Sequence, residues 1–85
     1  MAISVRIPES VAGAARGLEL SLDPAPTDLG ALIDALERLR PGLREVLDSS
    51  AVNAAVNGEV ILHGRDRTTL ADGDQVEFLV MFAGG

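Results

Sequence analysis

The glycines Gly84 and Gly85 give this chain its clearest chemical potential. Glycine has no Cβ and adopts most backbone conformations freely, so two in succession form a thin and mobile tip. Such a tip adds no packing to a folded domain, and no side chain hinders the α-carboxylate of a terminal glycine. We therefore expect this chain to act through the C-terminal carboxylate of Gly85.

The side chains offer few competing centres. The sequence contains no cysteine, which excludes disulfides, thiolate metal sites and a sulfur nucleophile. The only histidine, His63, lies beside Gly64 and is interpreted as a solvated turn residue rather than a catalytic base. Asp72 and Asp74 flank Gly73 as in a calcium loop, but no acidic run follows them, so a tight turn is predicted. No catalytic set and no metal site is expected.

A carboxylate is a poor electrophile and must be activated before it accepts sulfur or an amine. Adenylation by ATP on a separate enzyme would give an acyl-adenylate, and attack by sulfide or persulfide would leave a thiocarboxylate. Gly84 and Gly85 suit this chemistry because the tip must enter a narrow channel where a Cβ would clash. All seven basic residues are arginines, so no lysine side chain competes for the activated carboxyl group.

The composition describes one small domain. The chain has 85 residues, of which 47% are hydrophobic, and it shows no repeat or linker. A net charge of −6 argues against nucleic-acid binding and favours partners with basic surfaces. No stretch resembles a membrane span or a signal peptide, so we expect a cytoplasmic protein that does not act at membranes.

The first half of the chain predicts a hairpin followed by a helix. Apolar residues alternate with polar ones from Ala2 to Ile7 and again from Leu18 to Leu22, and Glu9 to Gly17 reads as a loose connection. Thr27 or Asp28 then offers an N-cap. Spacings of three and four predict an amphipathic helix from the apolar residues Leu29, Leu32, Ile33, Leu36 and Leu39. Pro41-Gly42 ends it, and one further turn is predicted from Leu43, Val46 and Leu47.

The second half predicts three more strands. Asn57-Gly58 is a strong hairpin signal between Val52 to Val56 and a partner strand at Val60 to Leu62. Arg65 to Thr69 is interpreted as a polar connection, and Leu70 as a core anchor. From Gln75 apolar and polar residues alternate again, which predicts a strand with Val76, Phe78 and Val80 on one face.

The element order β-β-α-β-β-β predicts an α+β fold. One helix of this length covers one face of one sheet, and strands at both ends of the chain suit a mixed sheet in which they lie side by side. The expected architecture is a ubiquitin-like β-grasp with four to five strands and one main helix. We expect a single domain over residues 1–85, with residues 82–85 as a flexible tail.

Three blocks of sequence, Val56 to Val60, Leu70 to Val76 and Ala83 to Gly85, resemble the MoaD/ThiS family of ubiquitin-like sulfur carriers. The resemblance implies that Gly85 is adenylated and then thiocarboxylated, and that Gly84 and Ala83 give the tail access to the activating enzyme. It implies two partners, an E1-like adenylyltransferase/sulfurtransferase and a sulfur-accepting synthase. The chain itself would bind no cofactor, and the activating partner would use ATP.

The family divides by pathway, and several alternatives stay open. Molybdopterin synthase small subunits usually begin with an aromatic-rich strand, and many members have a proline where this chain has Leu79 to Phe82. Ile7-Pro8 is similar to carriers for cysteine biosynthesis, while thiamine and sulfur-containing metabolites are further candidate products. A small subunit of molybdopterin synthase and a ubiquitin-like protein modifier are the alternative functions. Met81 and Phe82 either end the last strand or dock the tail onto a partner.

Overall fold

The computed structural model describes residues 2–9, 17–23, 25–49, 51–62 and 64–80. In this part of the chain, five strands form one mixed sheet in the order β2-β1-β5-β3-β4. The strands are β1 (Ile3–Ile7), β2 (Leu18–Leu22), β3 (Val52–Val56), β4 (Glu59–Ile61) and β5 (Gln75–Val80). The predicted ubiquitin-like β-grasp fold is confirmed. Most of the predicted loose connection, residues 10–16, lies outside the described residues.

The first and last strands are neighbours, as predicted from the element order. β1 and β5 pair in parallel, with Val5 opposite Val76. β5 also pairs with β3 in the antiparallel sense, so it occupies the centre of the sheet. The two halves of the sheet are therefore joined through β5.

Both predicted hairpins are present. β1 and β2 pair in register from Ile3–Leu22 to Ile7–Leu18. In the second hairpin, Asn57 and Gly58 have φ values of 53° and 85°. Two successive residues with positive φ match the type I′ turn whose twist suits an antiparallel pair. The strand after this turn has the expected three residues but lies one residue earlier, since β4 spans Glu59–Ile61 and Leu62 is 76% exposed.

Two helices follow β2 in the described chain, α1 (Leu29–Leu39) and α2 (Leu43–Leu47). Asp28, rather than Thr27, is the N-cap of α1, because its backbone is extended and its carboxylate accepts a 2.8 Å hydrogen bond from the Ala31 amide. Glu37 links the helices by accepting hydrogen bonds from the amides of Arg44 and Gly42. These bonds, chiefly that of Arg44, lower the pKa of Glu37. Neither helix is long and apolar enough to cross a membrane.

The core lies between α1 and one face of the sheet. Its fully buried large side chains are Phe78, Ile3, Ile7, Leu29, Leu32, Ile33, Leu36, Leu47 and Val76. The predicted core anchor, Leu70, is also buried. Leu39 was expected in this core but lies outside it. It is the last residue of α1, at the flank of the apolar stripe, and is 64% exposed. Val46 of α2 is exposed as well.

Candidate functional site

The predicted reactive residues follow directly on β5. The residues expected to bear sulfur, to give access or to dock a partner all lie outside the described part of the chain, namely Met81, Phe82, Ala83, Gly84 and Gly85. His63 lies outside it too. Their predicted roles stay predictions. The structure does define the strand that leads to them and the surfaces around its end.

β5 is paired up to its last residue, Val80, on the side that faces β3. Its antiparallel ladder with β3 runs from Val56–Val76 to Val52–Val80, and β1 pairs with its first half. Phe78 is fully buried at the middle of this strand. The chain therefore passes from the centre of the sheet into residues 81–85, and Val52–Val80 is the last pair before them.

Two sequence blocks meet at the opposite end of β5. The side-chain amide of Asn57 donates to Oδ1 of Asp74 at 3.0 Å, and its carbonyl oxygen accepts from the Gln75 amide at 3.0 Å. The Asn57 backbone amide also donates to the Gln75 carbonyl at 2.7 Å. The asparagine of the hairpin thus fixes the start of the last strand. Sequence reasoning assigned Asn57 only to its own turn and missed this contact across 17 residues.

Asp74 shapes the turn that precedes β5, as predicted. The Asp74 amide donates to the Ala71 carbonyl, and Gly73 adopts the left-handed φ of 89° that this turn requires. Oδ2 of Asp74 accepts a 2.8 Å hydrogen bond from the Ala71 amide. The Ala71 amide, followed by the Asn57 side chain, holds the pKa of Asp74 below its ordinary value of 3.8. Both carboxylate oxygens are thus engaged within the fold.

Because the folded state favours ionised Asp74, its contribution to stability should be present above pH 4 and be lost as pH falls through the lowered pKa. We expect Asp74→Asn to lower the melting temperature at pH 7, and the difference from the unsubstituted protein to shrink below pH 4. Thermal unfolding followed by circular dichroism between pH 2.5 and pH 7 measures this. Asp72→Asn removes an exposed carboxylate from the same turn and should leave the pH 7 melting temperature unchanged. A pH-independent difference for Asp74→Asn would contradict the assignment.

The sheet face opposite the helices carries both apolar and polar side chains, with Glu77 opposite Ala55 and Asn53 opposite Leu79. Ala55 and Val60 are cross-strand neighbours on this open face, and the side chain of Leu79 lies on it near the end of β5. Towards the other edge, Arg6 of β1 pairs with Glu19 of β2 at 2.8 Å, with both side chains well exposed. Leu79 is thus the apolar side chain of this face nearest the predicted tail, because Ala55 lies opposite Glu77, three residues before Val80.

We also searched the described ranges for a metal site and for buried polar side chains. Those ranges contain no group of three or more His, Cys, Asp or Glu side chains placed to hold a metal ion. Their buried residues are all apolar, with no buried polar or charged side chain.

Comparison with known proteins places the chain among relatives of one kind. The family model described as ThiS family matches residues 5–85. CysO from Mycobacterium tuberculosis is 29% identical over 94% of this chain and 99% of its own, with a TM-score of 0.72. The thiamine biosynthesis protein ThiS from Geobacter metallireducens is 30% identical over the whole of both chains, with a TM-score of 0.59.

A third similar structure comes from a protein complex. It belongs to the complex of subunits 1 and 2 of the molybdopterin-converting factor from Helicobacter pylori. The matched chain is 26% identical over the whole of both chains, with a TM-score of 0.64. A comparison with curated protein sequences finds no match. The relatives thus include a protein of thiamine biosynthesis and a subunit that assembles with a second protein.

Proposed function

Because this chain belongs to the ThiS family of ubiquitin-like sulfur carriers, we propose that its sulfur is held as a thiocarboxylate on Gly85. The Gly85 carboxylate attacks the α-phosphorus of ATP on an E1-like enzyme, which forms the acyl-adenylate and releases pyrophosphate. Hydrosulfide then adds to the acyl carbon and AMP leaves. When a persulfide is the donor, the acyl disulfide that forms is cleaved by a second thiol. The thiocarboxylate finally gives its sulfur to a synthase, as a co-substrate that is regenerated and not as an enzyme.

The observation that supports this proposal most is the attachment of the tail to the central strand. β5 is anchored at its start by Asn57 and Asp74 and is paired through Val80, directly before residues 81–85. A short tail on such a strand can reach into a partner while the fold stays intact. This arrangement separates the group that reacts from the part of the chain that provides stability.

The lack of competing nucleophiles also supports the proposal. An acyl-adenylate reacts with amines and thiols, and this chain has no lysine and no cysteine. The α-amino group is then the remaining amine of the chain. An activated Gly85 would therefore not be consumed by a side-chain amine or thiol of its own chain.

The partner must contact the fold around Val80 in order to receive the tail. Leu79, which is half-buried on the open face, lies beside this position. Burying apolar area there would favour association, while the net charge of −6 would attract a partner with a basic surface. We place the reaction in the cytoplasm, where ATP is available to the activating enzyme. The product is cysteine, thiamine or another sulfur-containing metabolite.

A small subunit of molybdopterin synthase is the second candidate. The similarity to a chain of the Helicobacter pylori molybdopterin-converting factor favours it. The chemistry at Gly85 would be the same, but the carrier would stay in a lasting complex with a larger subunit. The two functions differ in what copurifies with the chain.

Intact-mass spectrometry of the protein purified from its native host tests the proposal. We expect a fraction of molecules to have one oxygen replaced by sulfur, and fragmentation should locate the exchange in the peptide that ends at Gly85. A stoichiometric larger subunit in the same preparation would select the synthase subunit. An isopeptide adduct to lysines of other proteins, without any thiocarboxylate, would overturn the sulfur-carrier chemistry in favour of a protein modifier. Protein recovered from cells that lack the activating enzyme is the matched control and should contain no sulfur at Gly85.

A further inference from the structure

Arg65 makes two contacts beside the last pair of strands before the tail. It begins a short 3-10 helix, Arg65–Arg67, in the segment that was interpreted from sequence as a polar connection. Its Nη1 donates to the carbonyl of Val52 at 3.3 Å, and its Nη2 donates to Oδ1 of Asp48 at 3.2 Å. The Arg65 side chain is only 22% exposed. This arginine therefore joins the start of β3 to the end of α2.

The Val52 carbonyl lies on the side of β3 that faces β4, where Arg65 donates to it. The backbone N–H and C=O groups of successive residues in a strand point to opposite neighbours. The Asn57 amide donates to Gln75 of β5, so the backbone groups of Val52, five residues earlier, point towards β4. Among the described residues, the last pair of the β3–β4 ladder on this side is Ala54–Ile61, two residues from Val52. Val52 is buried, and a buried carbonyl without a partner is costly. Arg65 supplies a hydrogen bond to this carbonyl beyond the described ladder.

The same guanidinium connects this position to the main helix. Asp48 also contacts Arg44, whose Nη1 lies 3.5 Å from Oδ2, and Arg44 in turn forms an ion pair with Asp34 of α1. A chain of charged contacts thus runs from α1 through α2 to Arg65 and then to Val52. Its last member lies opposite Val80 in the sheet.

We propose that Arg65 is a positioning residue for the sulfur-carrying tail. It holds the first residue of β3 in place, which keeps the Val52–Val80 pair closed and fixes the direction in which the chain leaves the sheet. A fixed direction reduces the ordering that the tail must undergo when a partner binds it. The role in activation rests on the proposed function, whereas the role in holding the strand end does not.

Amide hydrogen exchange on the isolated protein tests the effect on the strand end. Hydrogen-bonded pairs recur at every second residue of an antiparallel ladder, so Asn53–Leu79 is such a pair next to Val52–Val80. In Arg65→Met, which keeps an apolar stem but no donor, the Asn53 and Leu79 amides should exchange about tenfold faster, as expected for one lost charge-assisted hydrogen bond. The Ala55 amide at the centre of β3 should keep its rate.

Two variants provide the comparison. Arg67→Met removes an exposed arginine from the same 3-10 helix and should change none of these rates. Arg65→Lys retains the charge but cannot bridge two acceptors with a planar guanidinium, so it should give intermediate rates. Equal acceleration at Asn53, Leu79 and Ala55 would show that Arg65 adds only global stability, and no acceleration would show that it does not hold the strand end. Either result overturns the proposal.

ATP–pyrophosphate exchange with the activating enzyme of the native host tests the effect on the tail. Arg65→Met should lower kcat/KM several-fold relative to both the unsubstituted chain and Arg67→Met, at a temperature where all three are folded. Equal kcat/KM for the two variants would overturn the positioning role. An unsubstituted chain that supports no exchange would instead contradict the proposed function, and the amide rates would then decide the role of Arg65 by themselves.

Discussion

Removal of Gly84 and Gly85 should abolish formation of the acyl-adenylate and leave the fold unchanged. The truncated chain would still end in a carboxylate, but that group would lie two residues closer to the sheet and could not reach the activating site. Glycine has no side chain to place in a core, and the core of the described residues is formed by side chains at or before Val80. ATP–pyrophosphate exchange should fall to background, and the melting temperature should stay within a few degrees of that of the full chain.

Gly84→Ala is the matched control for this truncation. It preserves the length of the tail and the terminal carboxylate but adds one Cβ. If the channel of the partner excludes a Cβ, exchange activity should fall by about 10–100-fold, since a 1 Å misplacement of a reacting group costs about that much. Full activity in the truncated chain would rule out the terminal carboxylate as the reacting group. A collapse of its melting temperature would instead favour a structural tail.

Replacement of Phe78 by alanine should have the largest effect on stability. Phe78 is the largest fully buried side chain and lies at the middle of the central strand, opposite Ala54. Phe→Ala changes in cores cost about 3–5 kcal/mol, against a total stability of about 5–15 kcal/mol for a domain. For a domain of this size that corresponds to a fall of roughly 12–40 °C in melting temperature. Chemical denaturation and differential scanning calorimetry would measure it.

Leu79→Ala is the control on the same strand. Its side chain is only half-buried on the open face, so the loss of stability should be less than that of Phe78→Ala. At low temperature, where most molecules remain folded, Phe78→Ala should still be adenylated, because its tail is intact. The two predictions thus differ in kind. Truncation of Gly84-Gly85 should abolish adenylation and preserve the fold, whereas Phe78→Ala should weaken the fold and preserve the reacting group. Equal destabilisation by both substitutions on β5 would contradict the described packing.

Local patterns were sufficient to predict most of the elements. The Asn57-Gly58 turn, the α1 helix and the alternation in β5 each depend on neighbouring residues, and the structure confirms all three. The side-by-side placement of the first and last strands followed from the number of elements that one sheet and one helix can bury. These features depend on periodicity and turn chemistry, which are local in the sequence.

Features that depend on distant contacts were not predictable in the same way. Nothing in the local sequence indicates that Asn57 reaches Asp74 or that Arg65 reaches Val52, because each contact depends on how the strands are arranged. Leu39 shows the reverse error, since its spacing fits the apolar stripe but the helix ends there at the edge of the core. The sequence therefore predicted a reacting tail, which stays a prediction, but not the contacts that hold the strand before it.

The central position of β5 also has a consequence for synthesis of the protein. During translation the hairpin of β1 and β2 and the hairpin of β3 and β4 emerge from the ribosome before the strand that joins them. A molecule whose synthesis stops early would lack both the joining strand and the glycines that we propose to react. On this proposal, completion of the sheet and synthesis of the reacting carboxylate depend on the same final segment, so incomplete chains would be excluded from sulfur transfer without a separate proofreading step.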